Sequence, residues 1–441
     1  MSIARTPTPP PILSDEHEAD PYATYRLLRE SYPVWYDEST SLWIVSRMED
    51  LRALFKHPDV NSENYEVQIG QFHGRTLIEM EGKEHTAHRR LLSPFLHSSG
   101  LEDFMPRIRG AAIGILTPVV QREAARVSRA LVGHAVDRNA AAGPCEIELV
   151  SEFTSVYPIT VTREMLGVPD DMQETVVRWY ENIADAISNM AGDPEVHARA
   201  MQTRDELREY FLPIIRERRG SGGEDLVSLV ADADLKGMRL SDEEICAFLS
   251  LVIVAGGETT DSAIASIFRL LIQHPDQLQA VYDDRRLILD AFAEQLRIAP
   301  PVHITLRHTA ADVEIQGVTI PADSMVGMCL ASGNRDEAVF DEPDRFDIFR
   351  EDNDTDRAFR ASADHIAFAD GRHFCVGNSL AREEVEIATN VIFDAMAGPP
   401  SLAPGHEAKE VGHWFRAPAE LQLTFDPAQR ANDERNTHGQ A

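Results

Sequence analysis

The segment from Asp242 to Gln273 constrains the fold most, because its apolar residues recur at helical spacing over about 30 residues. Ser241 and Glu244 stand at the spacing of a capping box, in which the serine caps a free backbone N–H and the glutamate reaches back. Pro275 ends the helix, since proline lacks an N–H and disfavours helical backbone in the residue before it. Such a helix spans about 45 Å at about 1.5 Å per residue. We therefore expect a large helical unit built around it.

Two adjacent glycines, Gly256 and Gly257, lie in the middle of this helix, followed by Glu258 and Thr259. Each glycine costs about 0.8–1.0 kcal/mol relative to alanine in a helix interior, so something should compensate. One interpretation is close packing against a neighbouring helix. The other is a backbone that opens to admit a ligand or water beside an acid and a hydroxyl.

Helical spacing dominates the rest of the chain, and strand patterns are few. The further predicted helices are Tyr22–Ser31, Met48–Lys56, Lys83–Phe95, Leu149–Leu166, Asp171–Met190, Arg199–Arg218, Asp276–Ala299 and Val376–Ala397. The predicted strands are Val34–Tyr36, Leu42–Ser46, Val313–Ile315, Val318–Ile320 and Met325–Cys329. The fold class is therefore mainly α with small β-sheets (α+β). Because no Gly/Ser linker or repeat divides the chain, we expect a flexible arm over residues 1–14, one folded unit over 15–426 and a polar tail over 427–441.

Composition excludes several functional classes. With 42 Lys and Arg against 73 Asp and Glu residues, the formal net charge is −31, which repels nucleic acids and anionic lipid surfaces. The longest apolar stretch, Ala247 to Ala255, is far shorter than the roughly 20 residues of a spanning helix, and the amino terminus lacks the apolar stretch of a secretory signal. The four cysteines form no CxxC pair, which fits a reduced cytosol. We expect a cytoplasmic protein that binds neither nucleic acid nor membrane.

The segment from His365 to Gly377 contains the pattern FxxGxxxCxG and precedes a helical pattern. At a helix amino terminus, free N–H groups and the helix dipole favour the thiolate of Cys375, which predicts a lowered pKa. Gly371 and Gly377 let the backbone pass close to a flat, bulky partner, and Phe368 offers a ring beside it. A lone cysteine would more often be buried and inert, but the full spacing is highly specific.

With this motif, the sequence resembles the haem-thiolate monooxygenases of the cytochrome P-450 superfamily, in particular its soluble bacterial members. The resemblance runs from about Tyr22 to about Thr424. It implies the cytochrome P-450 fold as a single large catalytic unit, haem b as the cofactor, and Cys375 as the axial ligand of the haem iron. A thiolate in that position pushes electron density onto the iron and favours cleavage of the O–O bond.

Three further segments match the same family. Glu294 and Arg297 form its ExxR motif, whose spacing puts both side chains on one helix face, and the resemblance implies that Arg345 joins them in a buried ionic triad. His85 and Arg89 form its HxxxR motif, with both side chains aimed the same way. The predicted cofactor-binding residues, including the cations for the haem propionates, are His85, Arg89, Arg307, Phe368, Gly371, His373, Cys375 and Gly377.

A metal site is the alternative for His85 and His88, but the third ligand and general base of a zincin pattern are missing, so we expect His88 on a solvated face. Glu258 and Thr259 match the oxygen-activating segment of the family. The resemblance implies that Thr259 positions water while Glu258 supplies the protons that O–O cleavage consumes. The alternative for Thr259 is a hydroxyl that bonds back to a helix carbonyl.

The predicted substrate is a medium-sized organic molecule with polar groups, such as a natural-product intermediate. The predicted substrate-pocket residues are Val252, Ala255, Gly256, Val302, His303 and Ile304. Two positions depart from the family pattern, since Asp323 and Ala369 stand where glycine is usual.

We expect the protein to hydroxylate or epoxidise its substrate with O2, reducing the second oxygen atom to water. The sequence contains no flavin or dinucleotide fingerprint and no iron–sulfur cysteine cluster, so electrons should come from a separate ferredoxin or flavodoxin with its reductase. The expected docking face for that donor comprises Arg89, Arg90, Arg107, Arg109 and Arg372. Alternatives are oxidative cyclisation, rearrangement or coupling without net oxygen insertion, and a haem-binding sensor or carrier.

Overall fold

The computed structural model describes residues 7–134, 144–189 and 192–428. The α-helices in these ranges are α1 Asp15–Ala19, α2 Pro21–Ser31, α3 Met48–Phe55, α4 Asn64–Gln68, α5 Gly70–His73, α6 Gly82–Leu92, α7 Ser98–Glu102, α8 Met105–His134, α9 Tyr157–Met165, α10 Gln173–Ile187, α11 Pro194–Arg218, α12 Leu226–Asp232, α13 Asp242–Gln273, α14 Pro275–Asp283, α15 Ile288–Ile298, α16 Leu330–Gly333, α17 Thr355–Ala358 and α18 Asn378–Asp394.

The strands are short and form small sheets. They are β1 Val34–Asp37, β2 Leu42–Val45, β3 Val60–Asn61, β4 Cys145–Glu148, β5 Ile304–Thr309, β6 Val313–Ile315, β7 Val318–Ile320, β8 Met325–Cys329, β9 Ser401–Leu402, β10 Glu410–Val411, β11 Ala417–Pro418 and β12 Gln422–Phe425. The largest sheet has the order β1-β2-β8-β5-β3, in which only β2 and β8 are parallel. The strands β4, β12 and β9 form a second sheet, and β6 and β7 form the predicted hairpin. The predicted class, mainly α with small sheets, is confirmed.

Helix α13 has the predicted bounds and forms the centre of the fold. The Ser241 N–H donates to Glu244 Oε2 at 2.7 Å and the Glu244 N–H donates to Ser241 Oγ at 3.2 Å, so the capping box is confirmed. Helices α9, α11, α15 and α18 pack against α13. Among the described helices, α13 alone is long and apolar enough to cross a membrane, but 56% of its apolar window is buried inside the protein, as in a core helix.

The two glycines of α13 allow close helix packing. A Cβ added to Gly257 would lie 2.7 Å from Cε2 of Tyr180 on α10, and one added to Gly256 would lie 3.4 Å from Oγ1 of Thr162 on α9. The helix is continuous through both positions. Of the two interpretations of these glycines, close packing is confirmed at Gly257, and the backbone is not opened at either glycine in this structure.

Three parts of the helix prediction differ from the structure. The long helix α8 was missed, because Gly110, Gly114 and Pro118 interrupt its pattern. The predicted helix Asp276–Ala299 is broken, since Asp284 caps a separate turn, Arg285–Leu287, between α14 and α15. The predicted helix Leu149–Leu166 divides into a π-type turn and α9.

Some predicted segments lie outside the described residues. These are residues 1–6 of the arm, Met190 at the end of a predicted helix, and residues 429–441 of the tail. The predicted boundaries of the folded unit, 15–426, stay a prediction.

Candidate active site

The loop before α18 fixes the position of Cys375. The Cys375 N–H donates to the Phe368 carbonyl at 3.0 Å, and the Phe374 N–H donates to the Gly371 carbonyl at 3.2 Å. Gly371 has a φ of +73°, and a Cβ there would lie 2.7 Å from the Phe55 carbonyl oxygen, so only glycine fits. The loop therefore holds the cysteine sulfur three residues before α18 begins.

Burial raises the pKa of the Cys375 thiol above its usual value. The N–H groups of Gly377 and Asn378 and the charge of Arg89 act in the opposite direction, but they do not outweigh burial. The predicted lowering of this pKa is therefore wrong for the thiol by itself, because the prediction left out desolvation. The N–H groups nevertheless favour an anionic sulfur, and a bound metal ion deprotonates a coordinating thiol outright.

Arg89 and Arg307 lie near this loop, and no carboxylate of the described residues forms an ion pair with either one. Arg307 is 6% exposed, donates to the Leu306 carbonyl at 2.7 Å and lies 5.1 Å from the centre of the Phe55 ring. Arg89 is half-buried, and burial lowers its pKa, opposed by Cys375. A buried cation without an acid costs several kcal/mol (on the order of 3–5 kcal/mol), so an external anion such as a haem propionate fits these residues.

His85 and His373 lie together, with ring centroids 4.4 Å apart. The Nε2 atom of His373 is 3.0 Å from Oε1 of Glu81, and Nη1 of Arg372 is 2.9 Å from Oε2 of the same acid. Burial acts to raise the pKa of Glu81, but its contacts with His373 and Arg372 hold that pKa at about 2. The sequence analysis missed Glu81, because no motif marks it except its position four residues before His85.

The ExxR pair is a buried, two-bonded ion pair. Arg297 Nε and Nη2 each lie 2.7 Å from a carboxylate oxygen of Glu294, and the two side chains are at most 1% exposed. Arg297 also donates to the carbonyls of Asn334, Pro343 and Arg345. One side chain thus ties α15 to two distant segments of the chain.

The predicted contact of the Arg345 side chain with this pair is wrong. Its guanidinium is 59% exposed and pairs with Glu342 and Asp347, because the Arg345 carbonyl accepts from Arg297 and leaves the side chain outside. Arg350 takes the predicted place, with Nη1 3.7 Å from Glu294 Oε1 and an 8% exposed side chain. The sequence offered two arginines five residues apart and no local signal to choose between them.

His88 also differs from its prediction. It is buried, and its Nε2 lies 3.1 Å from Oε1 of Glu244, which connects α6 to the start of α13. Within the described ranges, no group of three or more His, Cys, Asp or Glu side chains could hold a metal ion.

One stripe of α13 is accessible although the helix is otherwise largely buried. Val252, Gly256 and Thr259 are half-buried and Ala255 is exposed, at the spacing of one helix face. The structure thus brings together Thr259 and three predicted pocket residues. The Thr259 hydroxyl donates to the Ala255 carbonyl at 3.1 Å, which is the alternative we gave for this residue.

Two acids of α13 lie outside this stripe, with Glu258 next to Thr259 and Asp261 on the side of the helix that faces Thr154 and Glu148. Burial raises the pKa of Glu258 above its usual value. Asp261 was missed by the sequence analysis, and burial raises its pKa to about 7, with Glu258 and Glu148 acting in the same direction. No cation of the described residues contributes to the pKa shift of Glu258 or of Asp261.

The three predicted pocket residues at positions 302–304 have different surroundings in the structure. Val302 is half-buried and bridges to Phe415. His303 instead contacts two tyrosines, with Nδ1 3.1 Å from the Tyr25 hydroxyl, and Ile304 packs in the same buried cluster. Placement of the His303 side chain in the pocket is therefore wrong, because its ring packs against Tyr22 and Tyr25. The pocket role of Ile304 stays a prediction.

The site combines three features: a cysteine sulfur near a helix amino terminus, cations beside it that pair with no acid of the described residues, and an acid next to a hydroxyl on a central helix. Together they are the features of a haem-thiolate oxidoreductase. The family described as Cytochrome P450 matches residues 12–394. The chain belongs to the cytochrome P450 family, whose members are monooxygenases that hold haem.

Bacterial relatives extend the comparison. The chain is 33% identical to pulcherriminic acid synthase of Bacillus subtilis (strain 168) over 419 residues, which cover 95% of this chain and 98% of the relative. It is 30% identical to the cyclomarin C epoxidase CymV of Salinispora arenicola (strain CNS-205), covering 84% and 87%. The structure of cytochrome P450 CYP109Q5 from Chondromyces apiculatus superposes with a TM-score of 0.79 at 27% identity, covering 95% of this chain and 98% of that one.

Proposed function

We propose that this P450 uses haem b, with Cys375 as the axial ligand, to insert one oxygen atom from O2 into a medium-sized organic substrate. The observation that carries the proposal is the position of Cys375. Its sulfur lies near the start of α18, with the N–H groups of Gly377 and Asn378 and the charge of Arg89 all favouring the anion. Haem, when bound, supplies the binding and reductive activation of O2.

The residues proposed to hold the propionates are Arg89, Arg307, His85 and His373. The two arginines lack acid partners among the described residues, and they supply the fixed positive charge that two carboxylates need. Burial, with His373 and Arg89, lowers the pKa of His85 to about 4, so it is neutral at pH 7 and acts through its ring N–H. Phe368 is half-buried and packs edge-on against Phe374 in the cysteine loop.

Thr259 and Glu258 are the proposed catalytic residues. Rotation of the Thr259 hydroxyl away from the Ala255 carbonyl would let it hold a water molecule over the accessible stripe. Glu258, whose pKa burial raises, would deliver protons to that water. Exclusion of other water by the apolar part of the stripe limits release of partly reduced oxygen.

The proposed substrate class rests on the pocket and on two relatives. The stripe on α13 consists of small and mostly apolar residues, and the Tyr65 hydroxyl on α4, 3.0 Å from Thr305 Oγ1, supplies a polar group. The relatives are named for a synthase and an epoxidase of natural products. A panel of precursors of those products, scored by the low-spin to high-spin shift of the haem, would test this class.

A separate ferredoxin or flavodoxin with its reductase is the proposed electron donor, and the cytoplasm the proposed location. Arg90, Arg107 and Arg109 are exposed, and Arg109 forms only a surface ion pair with Asp394 at 3.5 Å. Charge reversal at Arg109 should slow reduction most at low salt, since surface steering is screened as ionic strength rises. An unchanged rate and salt dependence would exclude this face.

The optical spectrum of the reduced protein with carbon monoxide tests the central proposal. A strongly red-shifted Soret band, the signature of thiolate ligation, is expected for the wild type and should be lost in Cys375→Ser. Cys145→Ser is the matched control, because that buried cysteine lies on β4, away from the α18 loop. A wild-type spectrum in Cys375→Ser would contradict the proposal. Incorporation of labelled O2 into product would then separate oxygen insertion from oxidative cyclisation or coupling.

A further inference from the structure

One helix turn after Glu258, α13 carries a second acid that the proposed function does not use. Residues three apart on a helix lie on the same face, about 5–6 Å between Cβ atoms, so the carboxyl groups of Glu258 and Asp261 are neighbours. The Oδ1 atom of Asp261 is buried and makes no hydrogen bond of standard geometry within the described chain. An unsatisfied buried carboxyl oxygen costs about 1–3 kcal/mol, so a purely structural acid here would be a poor choice.

The surroundings of Asp261 come from three other elements. Thr154, at the end of the π-type turn Val150–Thr154, is fully buried and its hydroxyl favours the ionised form of Asp261. Glu148 on β4 is half-buried and acts against ionisation, as does Glu258. Tyr180 on α10 lies over Gly257, and the charges of Glu258 and Asp261 raise its pKa further after burial.

These acids and hydroxyls influence each other's pKa values, and no cation of the described residues contributes to the shifts of Glu258 and Asp261. Two neighbouring carboxyl groups that lack a cation do not both ionise readily, so one proton tends to stay on the pair. The pKa is raised to a different extent in the two acids. Burial raises the pKa of Asp261 to about 7, where it is protonated half of the time at neutral pH and can both give and take a proton.

Resting on the proposed function, we propose that Asp261 is a positioning residue that acts through Glu258 by returning a proton to it after each delivery. In this step the O–H bond of the Asp261 carboxyl breaks as an O–H bond forms on the Glu258 carboxylate. The negative charge moves to Asp261, which is half-buried and regains a proton from solvent. The Thr154 hydroxyl favours the ionised form of Asp261 that this step leaves.

The test compares three full-length, haem-loaded variants. Asp261→Asn keeps the size but cannot exchange a proton, Asp261→Glu restores a carboxyl, and Asp276→Asn is the control because it replaces an exposed aspartate just beyond α13. Circular dichroism and thermal unfolding confirm that each variant folds. The spin-shift titration with substrate should stay within about twofold of wild type for all three, since the binding stripe is unchanged.

The first readout does not depend on turnover. Infrared difference spectra between pH 6 and 8 should show a carboxyl group that titrates near pH 7 in the wild type and the control and is absent in Asp261→Asn. The band of Glu384, whose pKa burial raises to about 8, should be present in all of them. No carboxyl titrating near pH 7, or the band near pH 7 persisting in Asp261→Asn, would overturn the inference.

The second readout is product formed per O2 consumed and its dependence on pH and on D2O. We expect Asp261→Asn to lose about tenfold in product formation and to show a larger solvent isotope effect, with Asp261→Glu close to wild type. Suppose that Asp261→Asn shows the thiolate spectrum but forms as much product per O2 as the wild type, with the same dependence on pH. This inference alone would then be overturned. Absence of the thiolate spectrum in the wild type would instead overturn the proposed function.

Discussion

Ala369 adopts a left-handed conformation that side chains disfavour, with a φ of +62°. This position follows Phe368 in the cysteine loop and is one of the two where the family usually has glycine; the other, Asp323, has a φ of +56°. Both departures noticed in the sequence therefore coincide with strained backbone, because only glycine populates this region freely.

Ala369→Gly should stabilise the protein. Relief of the left-handed strain raises the free energy of unfolding by about 1–2 kcal/mol. The greater freedom of glycine in the unfolded chain lowers it by about 0.4–1 kcal/mol, so the net gain is roughly 0.5–1 kcal/mol. Urea denaturation measures the difference. Ala367→Gly is the control with the opposite sign, because Ala367 is outside the positive-φ residues, so the entropic cost applies together with the loss of its methyl group from the core surface. A loss of stability in both variants would contradict the argument.

Asp261 gives stability a pH dependence whose sign follows from its pKa. The folded pKa of about 7 lies above the unfolded value of about 3.9, so the fold favours the protonated acid. The contribution of Asp261 to the free energy of unfolding should then fall as pH rises from about 4 to 7 and stay level above pH 7. The fall is no more than about 4 kcal/mol, and it is smaller where solvent screens the charge. Asp261→Asn should become more stable than the wild type over this range, as measured by urea unfolding at pH 5 and pH 8. An equal difference at both values would contradict the shift.

At the scale of single residues, the sequence identifies residues that stand in spaced motifs. It misses residues whose partners are brought to them only by the fold. Cys375, Glu294 and Arg297 are predictable because a fixed spacing carries the chemistry. Glu81 and Asp261 are not, since an acid acquires its role only from distant partners such as His373 and Thr154.

At the scale of elements, α13 shows why local preference does not decide the cost of a glycine. In an isolated helix, Gly257→Ala would gain about 1 kcal/mol, but here the new Cβ would lie 2.7 Å from the Tyr180 ring. We expect this variant to lose about 1–3 kcal/mol in chemical denaturation, the range for overpacking.

A double-mutant cycle checks the cause of that loss. Gly257→Ala combined with Tyr180→Ala should recover most of the loss relative to Tyr180→Ala alone, because the clashing ring is gone. Gly256→Ala is the matched control, since its Cβ would meet Thr162 Oγ1 at an ordinary 3.4 Å. If the two variants were equally destabilised, the tyrosine would not be the cause.

Elements with strong end signals are the ones whose bounds the sequence predicts. The capping box and the proline after His274 mark both ends of α13, whereas α8 contains Pro118 and carries a weak apolar pattern along its 30 residues. Strands β4 and β12 were missed because each is defined by its pairing partner rather than by its own pattern.

At the scale of the whole molecule, the buried pair of Glu294 and Arg297 joins segments that are far apart in the chain. Arg350→Ala should cost about 2 kcal/mol or more, because it removes a buried cation beside Glu294, whereas Arg345→Ala should cost at most about 1 kcal/mol at the surface. Thermal unfolding of the two variants, together with haem retention, measures the contrast. Equal losses of stability in the two variants would contradict this contrast and would favour the sequence prediction that Arg345 joins the buried pair.

The large sheet joins chain segments made at very different times during synthesis. Strand β8 lies between β2 and β5, and Val45 pairs with Met328, about 280 residues later. At about 5–20 residues per second, a ribosome needs roughly 15–60 s to make the second partner after the first. Strand β2 must wait that long with an unpaired edge, so the newborn polypeptide should depend on chaperones until its distal half emerges.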